Sequence, residues 1–455
     1  MFKDNQAIMD LKLFLDDMNF NFIVSSIINQ DTYFSNPFPP FKHVEKNINS
    51  FCNDEILKKH LRFFLLGDKI LDKELELPNT TIEYLIKVNI LSKEEDFYFL
   101  NDFLLISCFN CCFFVANIHY YPTSKNKAKS PYIGLDSFWL SRIIFNKTYG
   151  TVLDVCTGSG IQAIISAKTC DKVYALELDP LACKIAKINT ILNDVQEKVE
   201  IINSDLYTNL DSNLQFDFIV SNPPFIPIPP EEDFPIFGDG GWDGLQVIKR
   251  ILEQGVAKLK SNGKLIMTGQ AIGTSKKCFL EDVVEEICPN NKAYLSIKSV
   301  LPTNTQAHAF AELSNIYNNK SSVDNWLYRY NKIGATDFYE FNLIINKDEG
   351  KKIKTKNVMM ITTATRLRVM PFSIRKSLNM YKVQSINAAA LIDQDTLNLL
   401  KALEEPKTLF EAVDYLLVEQ EKENLSFYRK QLLEKYMRIC SGLLHQDLIE
   451  IEKEE

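Results

Sequence analysis

The chain has 455 residues, 46% of them hydrophobic and 24% charged, which is enough apolar material for a large core and two or three domains and argues against broad disorder. A formal net charge of −8 disfavours a chain built to hold nucleic acid, because that affinity rests on neutralising phosphates. The opening Met1-Phe-Lys-Asp-Asn-Gln has no basic stretch followed by an apolar one, and the most apolar run, over 103–118, is short and carries Asn110 and Asn117, so the expectation is a cytoplasmic chain without a signal peptide or spanning helix.

In chain order, residues 1–129 read as an N-terminal α+β module. Helices are followed by one over 54–66 that ends at Gly67, another over 81–88, and strands over 97–100 and 103–121. Helices leading through Ile90-Leu91 into a hairpin give this module a winged-helix-like pattern. Cys108, Cys111 and Cys112 sit in the apolar strand-like run with no accompanying Cys pair or His-x-x-x-His, so they read as buried structural thiols and not as metal ligands. All ten cysteines are scattered without disulfide-like spacing. The polar, basic stretch over 121–131 is a linker.

A second unit, 130–348, begins with Pro131-Tyr-Ile-Gly-Leu-Asp-Ser137 before a helix over 138–145. A plain helix N-cap at Asp136 or Ser137 is one reading of this segment; the other, in which Gly134, Asp136 and Ser137 are ligands, is implied only by resemblance to enzymes whose segment before the glycine loop closes over the bound molecule. Next comes Val152-Leu-Asp-Val-Cys-Thr-Gly-Ser-Gly160: an apolar strand, an aspartate at its end, and glycines that turn the chain tightly into a helix over 161–168. The following strand, Val173-Tyr-Ala-Leu176, ends in Glu177, where a carboxylate holds ribose hydroxyls. This β-α-β unit also fits the dinucleotide fingerprint G-x-G-x-x-A through Ala163, so NAD is an alternative. Three features favour S-adenosylmethionine. Asp154 would attract a cationic amino-acid end and repel a pyrophosphate. Asp205, in Ile201-Ile-Asn-Ser-Asp-Leu-Tyr207, is placed to accept an adenine amino group. Ser221-Asn-Pro-Pro-Phe225 has no use in hydride transfer.

That last motif carries the chemistry. An amide or ring-amine nitrogen has a delocalised lone pair and attacks a methyl sulfonium poorly unless its geometry is shifted. The side-chain oxygen of Asn222 and the carbonyl of Pro223 would each accept an N–H, Pro223 and Pro224 would hold those oxygens by fixing φ, and Phe225 would offer a flat face. Asn222, Pro223, Pro224 and Phe225 are therefore the expected catalytic residues. No metal is expected.

Residues 131 to about 270 resemble the class I methyltransferases, in the branch that contains the HemK-type protein-glutamine methyltransferases and the adenine and guanine amino-methyltransferases. The matching pieces are D-V-C-T-G-S-G, A-L-E-L-D-P, N-S-D-L-Y, S-N-P-P-F-I-P and the G-G-W-D-G-L-Q-V-I-K-R-I-L that begins at Gly240. The resemblance implies a Rossmann-like seven-stranded α/β domain. It implies S-adenosyl-L-methionine held by Asp136, Asp154, Cys156, Thr157, Gly158, Gly160, Glu177, Leu178, Asp205, Leu206 and Asn222. Cys156 departs from the pattern by replacing the usual first glycine.

Between the motif and Gly244, the acidic Glu231-Glu-Asp233 disfavours a phosphate-rich ligand, and glycines around Trp242 form a loop that either contacts substrate or packs on the next helix. The remaining elements of this unit are strands over 263–268, 293–300 and 338–345 and helices over 275–287 and 307–333, giving a mostly parallel sheet with helices on both faces. Residues 349–455 read as mainly helical, with helices over 396–403, 408–417 and 425–441 and a winged-helix-like turn over 442–451. Lys125, Lys127 and Lys129, and Arg366, Arg368, Arg375 and Lys376, form local basic patches. The acceptor expected is an amide or amine nitrogen of a protein, peptide or small metabolite. An RNA or DNA base amino group is the runner-up, and a cofactor-sensing regulator without turnover is the third reading.

Overall fold

The computed structural model describes residues 2–27, 41–116, 131–230, 232, 234–318 and 321–347, then 358–361, 366–369, 372–377, 380–385, 389–392, 394–404, 407–418, 433, 436 and 449–451. The N-terminal module contains helices α1 (Phe2–Asp17), α2 (Phe20–Ile27), α3 (Phe41–Phe51), α4 (Glu55–Leu66) and α5 (Asn79–Lys87). Asp54 caps α4 by accepting the N–H groups of Ile56 and Leu57, and Gly67 ends it at φ +74, as the sequence predicts. Strands β1 (Ile70–Leu71), β2 (Leu91–Glu94) and β3 (Phe97–Leu100) form a sheet of order β1-β3-β2, so the strand expected over 97–100 is present, but its hairpin partner is β2, which begins at Leu91 where a turn was expected, and not the strand expected from 103.

The single strand expected over 103–121 is instead a hairpin, β4 (Phe103–Cys108) and β5 (Cys111–Ala116), and residues 117–121 lie outside the described set. Phe109 and Asn110 make the turn at φ +53 and +57. Neither is glycine, and the apolar run hides the turn. Burial drives the three thiols here above their ordinary range, Cys112 to about 12, so they behave as core side chains.

The second unit runs α6 (Leu135–Ile144), β6 (Thr151–Val155), α7 (Ile161–Ala167), β7 (Lys172–Glu177), α8 (Pro180–Leu192), β8 (Val199–Asn203), β9 (Phe216–Ser221), α9 (Gln246–Lys258), β10 (Leu259–Thr274), β11 (Lys277–Cys278), α10 (Leu280–Ile287), β12 (Lys292–Pro302), α11 (Thr303–Asn318), α12 (Val323–Ile333) and β13 (Asp337–Asn346). The helix expected from 275 starts only at Leu280, because β11 first turns back along β10. The expected seven-stranded sheet is present in the order β12-β13-β10-β9-β6-β7-β8, parallel except for β13, which runs against both neighbours.

An eighth strand, β14 (Val358–Ile361), adds to this sheet in parallel with β12, beyond the boundary expected near 348. Among the described residues of 349–455 the mainly helical reading needs correction. Strands β15 (Arg366–Val369), β16 (Phe372–Ser377), β17 (Met380–Ser385) and β18 (Ala389–Ile392) precede α13 (Gln394–Ala402), β19 (Lys407–Thr408), α14 (Leu409–Val418) and β20 (Ile449–Ile451). Helices α13 and α14 match two of the expected helices. Of the third, only Leu433 and Tyr436 are described, and 442–448 lie outside the described residues.

Two faces of the large sheet bury separate cores. One joins Ile8 and Leu11 of α1, through Phe113 and Phe114 of β5, to Ile185 and Ile188 of α8, so the N-terminal module and this face share one apolar cluster. The other packs Ile248 and Leu252 of α9 and Val284 of α10 against β10. A third cluster, around Trp326 and Phe310, seats the α11–α12 pair beside the chain that follows β9. Strands β6 and β9 are neighbours, yet the chain leaves them for opposite sides of the sheet, so a crevice opens at their carboxyl ends.

Candidate active site

The loop after β6 turns through three left-handed residues: Cys156 at φ +64, Gly158 at +55 and Gly160 at +85. For cysteine that region is strained. A Cβ on Gly158 would meet nothing within 4 Å, so the backbone there lies bare to the crevice. Asp154 works from behind the loop. One carboxylate oxygen accepts the Thr157 hydroxyl at 2.5 Å and the Ala163 N–H at 3.0 Å, while the other is buried without a partner. Burial pushes its carboxyl up to about 7, against the pull of those two hydrogen bonds. Glu177, at the end of β7, accepts the Gly158 N–H at 2.8 Å and the Asp179 N–H at 2.9 Å. Burial raises its carboxyl above the usual range as well.

At the end of β9 the Ser221 hydroxyl donates to the Val155 carbonyl at 2.8 Å, locking the exit of one strand to the other. Asn222 comes next. Its amide nitrogen donates to Asp136 Oδ2 at 3.0 Å and to Ser137 Oγ at 2.9 Å, using both protons. Its carbonyl oxygen Oδ1 is buried with no partner. Asp136 and Ser137 therefore orient Asn222 and do not cap α6, whose N-cap is Gly134 without a side-chain bond. Gln162 in turn donates to the Ser137 carbonyl at 3.0 Å. Loop 238–241 folds back on this motif, with the Ile226 N–H donating to Gly238 O and the Gly240 N–H to Ile226 O, each at 2.9 Å. A Cβ on Gly240 would lie 2.7 Å from Phe225 Cα, so only glycine permits that approach.

These parts enclose a cavity of about 420 Å³, in the range of small-ligand sites. Of the residues singled out from the sequence, Asp136, Ser137, Cys156, Thr157, Gly158, Glu177, Leu178, Asp205, Leu206, Asn222, Pro223, Pro224 and Phe225 line it, and Gly134 does not. Asp154 and Gly160 stand behind the wall. Asp205 has a companion that the sequence reading missed: Arg250 of α9 bonds both of its carboxylate oxygens at 3.0 Å. Leu206 beside it holds φ +48, unusual for a leucine. Other unforeseen wall residues are Tyr132 and Phe237, whose rings meet at 4.8 Å, and Gln162, whose place inside the glycine motif was the available signal. Cys156 faces the cavity, and burial together with Glu177 and Asp154 keeps its thiol well above the ordinary range.

Trp242 does not line the cavity. It is 53% exposed, with Lys249 of the following helix and Arg329 of α12 over its ring at 6.0 and 5.8 Å. Glu232 is not a solvated charge either: it accepts from Ser314 of α11 and Asn325 of α12. Glu231, Asp233, Lys125, Lys127 and Lys129 lie outside the described residues, and Arg366, Arg368, Arg375 and Lys376 fall in β15 and β16.

Residues 137–293, which hold the glycine loop and the Asn222 motif, match the family described as methyltransferase small domain. This segment is a methyltransferase domain. Among curated proteins it is similar to a release factor glutamine methyltransferase of Rhodopirellula baltica, 34% identical over 26% of this chain and 43% of that one. A ribosomal protein uL3 glutamine methyltransferase of Bradyrhizobium diazoefficiens is 35% identical over 25% of this chain and 39% of its own. A putative protein N5-glutamine methyltransferase of Methanocaldococcus jannaschii is 31% identical over 28% of this chain and 66% of its own. The chain thus spans less than half the length of the first two. The methyltransferase domain carries the likeness. Among the described residues no helix is long and apolar enough to cross a membrane.

Proposed function

We propose that the chain is an S-adenosyl-L-methionine-dependent N-methyltransferase that modifies a side-chain amide of a protein, as the glutamine methyltransferases among its relatives do. The observation that carries this is Asn222: the residue lines the cavity, both protons of its amide are already committed, and its Oδ1 is a buried acceptor without a donor. Such an atom costs about 1–3 kcal/mol to bury unpaired, and an N–H supplied by a substrate removes that cost.

The residues present fit the cofactor. Gly158 leaves backbone open to a ligand, Glu177 keeps lone pairs for ribose hydroxyls, and Asp205 with Leu178 and Leu206 suits an adenine. When bound, S-adenosylmethionine supplies an electrophilic methyl group. Asn222 Oδ1 and the Pro223 carbonyl would each accept an N–H of the acceptor amide, turning its lone pair out of conjugation and stabilising the positive charge that grows on nitrogen. Tyr132 and Phe237 would keep water out. Free cysteines throughout the described residues fit a reducing compartment, so we place the reaction in the cytoplasm.

The test is transfer of tritiated methyl from the cofactor into a fractionated lysate, followed by hydrolysis and identification of the labelled residue. Label in N5-methylglutamine supports the proposal. Label confined to nucleic acid would shift the acceptor to a base amino group, and cofactor binding without transfer would favour a sensing role.

A further inference from the structure

Helix α8 carries Asn189, and its C-cap residue Asn193 follows one turn later, both beneath strand β5. Among the described residues β5 pairs along one edge only, with β4. Its other edge is completed by amides. Asn193 accepts the Cys112 N–H at 3.0 Å and donates to the Cys112 carbonyl at 2.7 Å, and Asn189 does the same for Phe114 at 2.8 and 3.1 Å. The match is geometric: four helical residues rise about 6 Å and two strand residues about 7 Å, so side chains four apart on a helix can imitate a strand.

The two amides differ in their remaining proton. That of Asn193 goes to the Asn189 carbonyl, within the helix. That of Asn189 goes to the Ser159 carbonyl, at 2.9 Å, in the middle of the glycine loop. The same Ser159–Gly160 peptide is gripped on its other side, where the Gly160 N–H donates to the Thr157 carbonyl at 2.9 Å. Asn189 is fully buried, and with three hydrogen bonds its amide spans the hairpin and the loop. A loop with three left-handed residues has many conformations to lose on ordering, so a clamp on this peptide plane decides how the neighbouring Gly158 backbone meets a ligand.

We infer that Asn189 is a positioning residue for the cofactor pocket, and that through it the docking of the N-terminal module sets cofactor affinity. The inference rests on the cofactor reading proposed above. In the full chain, calorimetric titration with S-adenosylmethionine compares the parent with Asn189→Leu and Asn193→Leu. Both variants strip two bonds from the hairpin edge, so both should lower the melting temperature. Only Asn189→Leu should weaken cofactor binding, by about 10-fold or more. In turnover its defect should appear in KM for the cofactor and vanish at saturation, which general destabilisation would not produce. If Asn189→Leu does not fold, Asn189→Asp carries the same comparison, since it keeps the size and loses both donors. Binding by the parent with unchanged affinity in the Asn189 variants, or an equal loss in Asn193→Leu, overturns this inference alone. No binding by the parent overturns the cofactor reading and this inference with it.

Discussion

Replacing Asn222 with alanine should separate stability from catalysis. The substitution removes an acceptor that is buried and unpaired, which relieves about 1–3 kcal/mol, and it removes two hydrogen bonds, to Asp136 and Ser137, together worth about 2–4 kcal/mol because one partner is charged. These contributions oppose each other. The folded state should therefore change by about 3 kcal/mol or less, a shift of up to several degrees in melting temperature for a domain this large. Catalysis has no such compensation, because the lost oxygen is the one proposed to meet the attacking nitrogen. Loss of one preorganised polar group of this kind lowers kcat by about 10²–10³. The assay is single-turnover methyl transfer to the identified acceptor at saturating cofactor, with thermal unfolding and cofactor titration on the same preparation. A folded Asn222→Ala chain that binds cofactor and turns over near the parent rate would show that the motif is structural and would refute the mechanism.

Glu177→Ala removes the proposed ribose acceptor together with the bond to the Gly158 N–H, and calorimetry should find S-adenosylmethionine affinity down about 10- to 150-fold. Unchanged affinity would move the ribose elsewhere. Asp154 gives a pH signature: with a folded pKa of about 7 against an ordinary 3.8, the folded chain holds a proton that the unfolded chain has lost over that window. Its contribution to stability therefore falls as pH rises from about 4 to about 7, by on the order of 4 kcal/mol, and then levels off. Asp154→Asn keeps both accepting contacts on its oxygen, so the melting temperature of this variant relative to the parent should climb between pH 5 and 8; a flat difference would contradict the assignment. Cys156, facing the cavity with a thiol held well above the ordinary range, should be alkylated by iodoacetamide at pH 8 more slowly than a free cysteine, as followed by mass spectrometry. Rapid labelling would place its thiol in a different environment.

The wall of the cavity built by the β6 loop and the end of β7 was legible because its residues are close in sequence. Strand, glycine turn and following acid are one local unit, and their spacing alone puts Gly158 and Glu177 together. What closes the cavity was not legible. Asp136 reaches Asn222 across 86 positions and Arg250 reaches Asp205 across 45, contacts that follow from sheet order and leave no local pattern. Asp136 was foreseen as a ligand or helix cap, and only the fold shows that it orients the asparagine. The C-terminal strands were missed for another reason. Phe372-Ser-Ile-Arg375 and Tyr381-Lys-Val-Gln384 alternate at period two, but the runs are short, and Arg375 and Lys376 were read as part of a basic patch. In the N-terminal module an unbroken apolar run concealed the Phe109-Asn110 turn, because reversal of the chain there uses no glycine.

Strand β14 has a practical consequence for anyone who wishes to isolate the catalytic segment. It covers the edge of β12, an eleven-residue strand whose Ala293, Leu295 and Ile297 are buried. Cutting the chain after residue 347 would leave that edge with unpaired donors and acceptors beside apolar side chains, a template for pairing between copies. Such a fragment should self-associate during expression even though every cavity-lining residue is still present, and extending it through Ile361 should restore a monodisperse preparation.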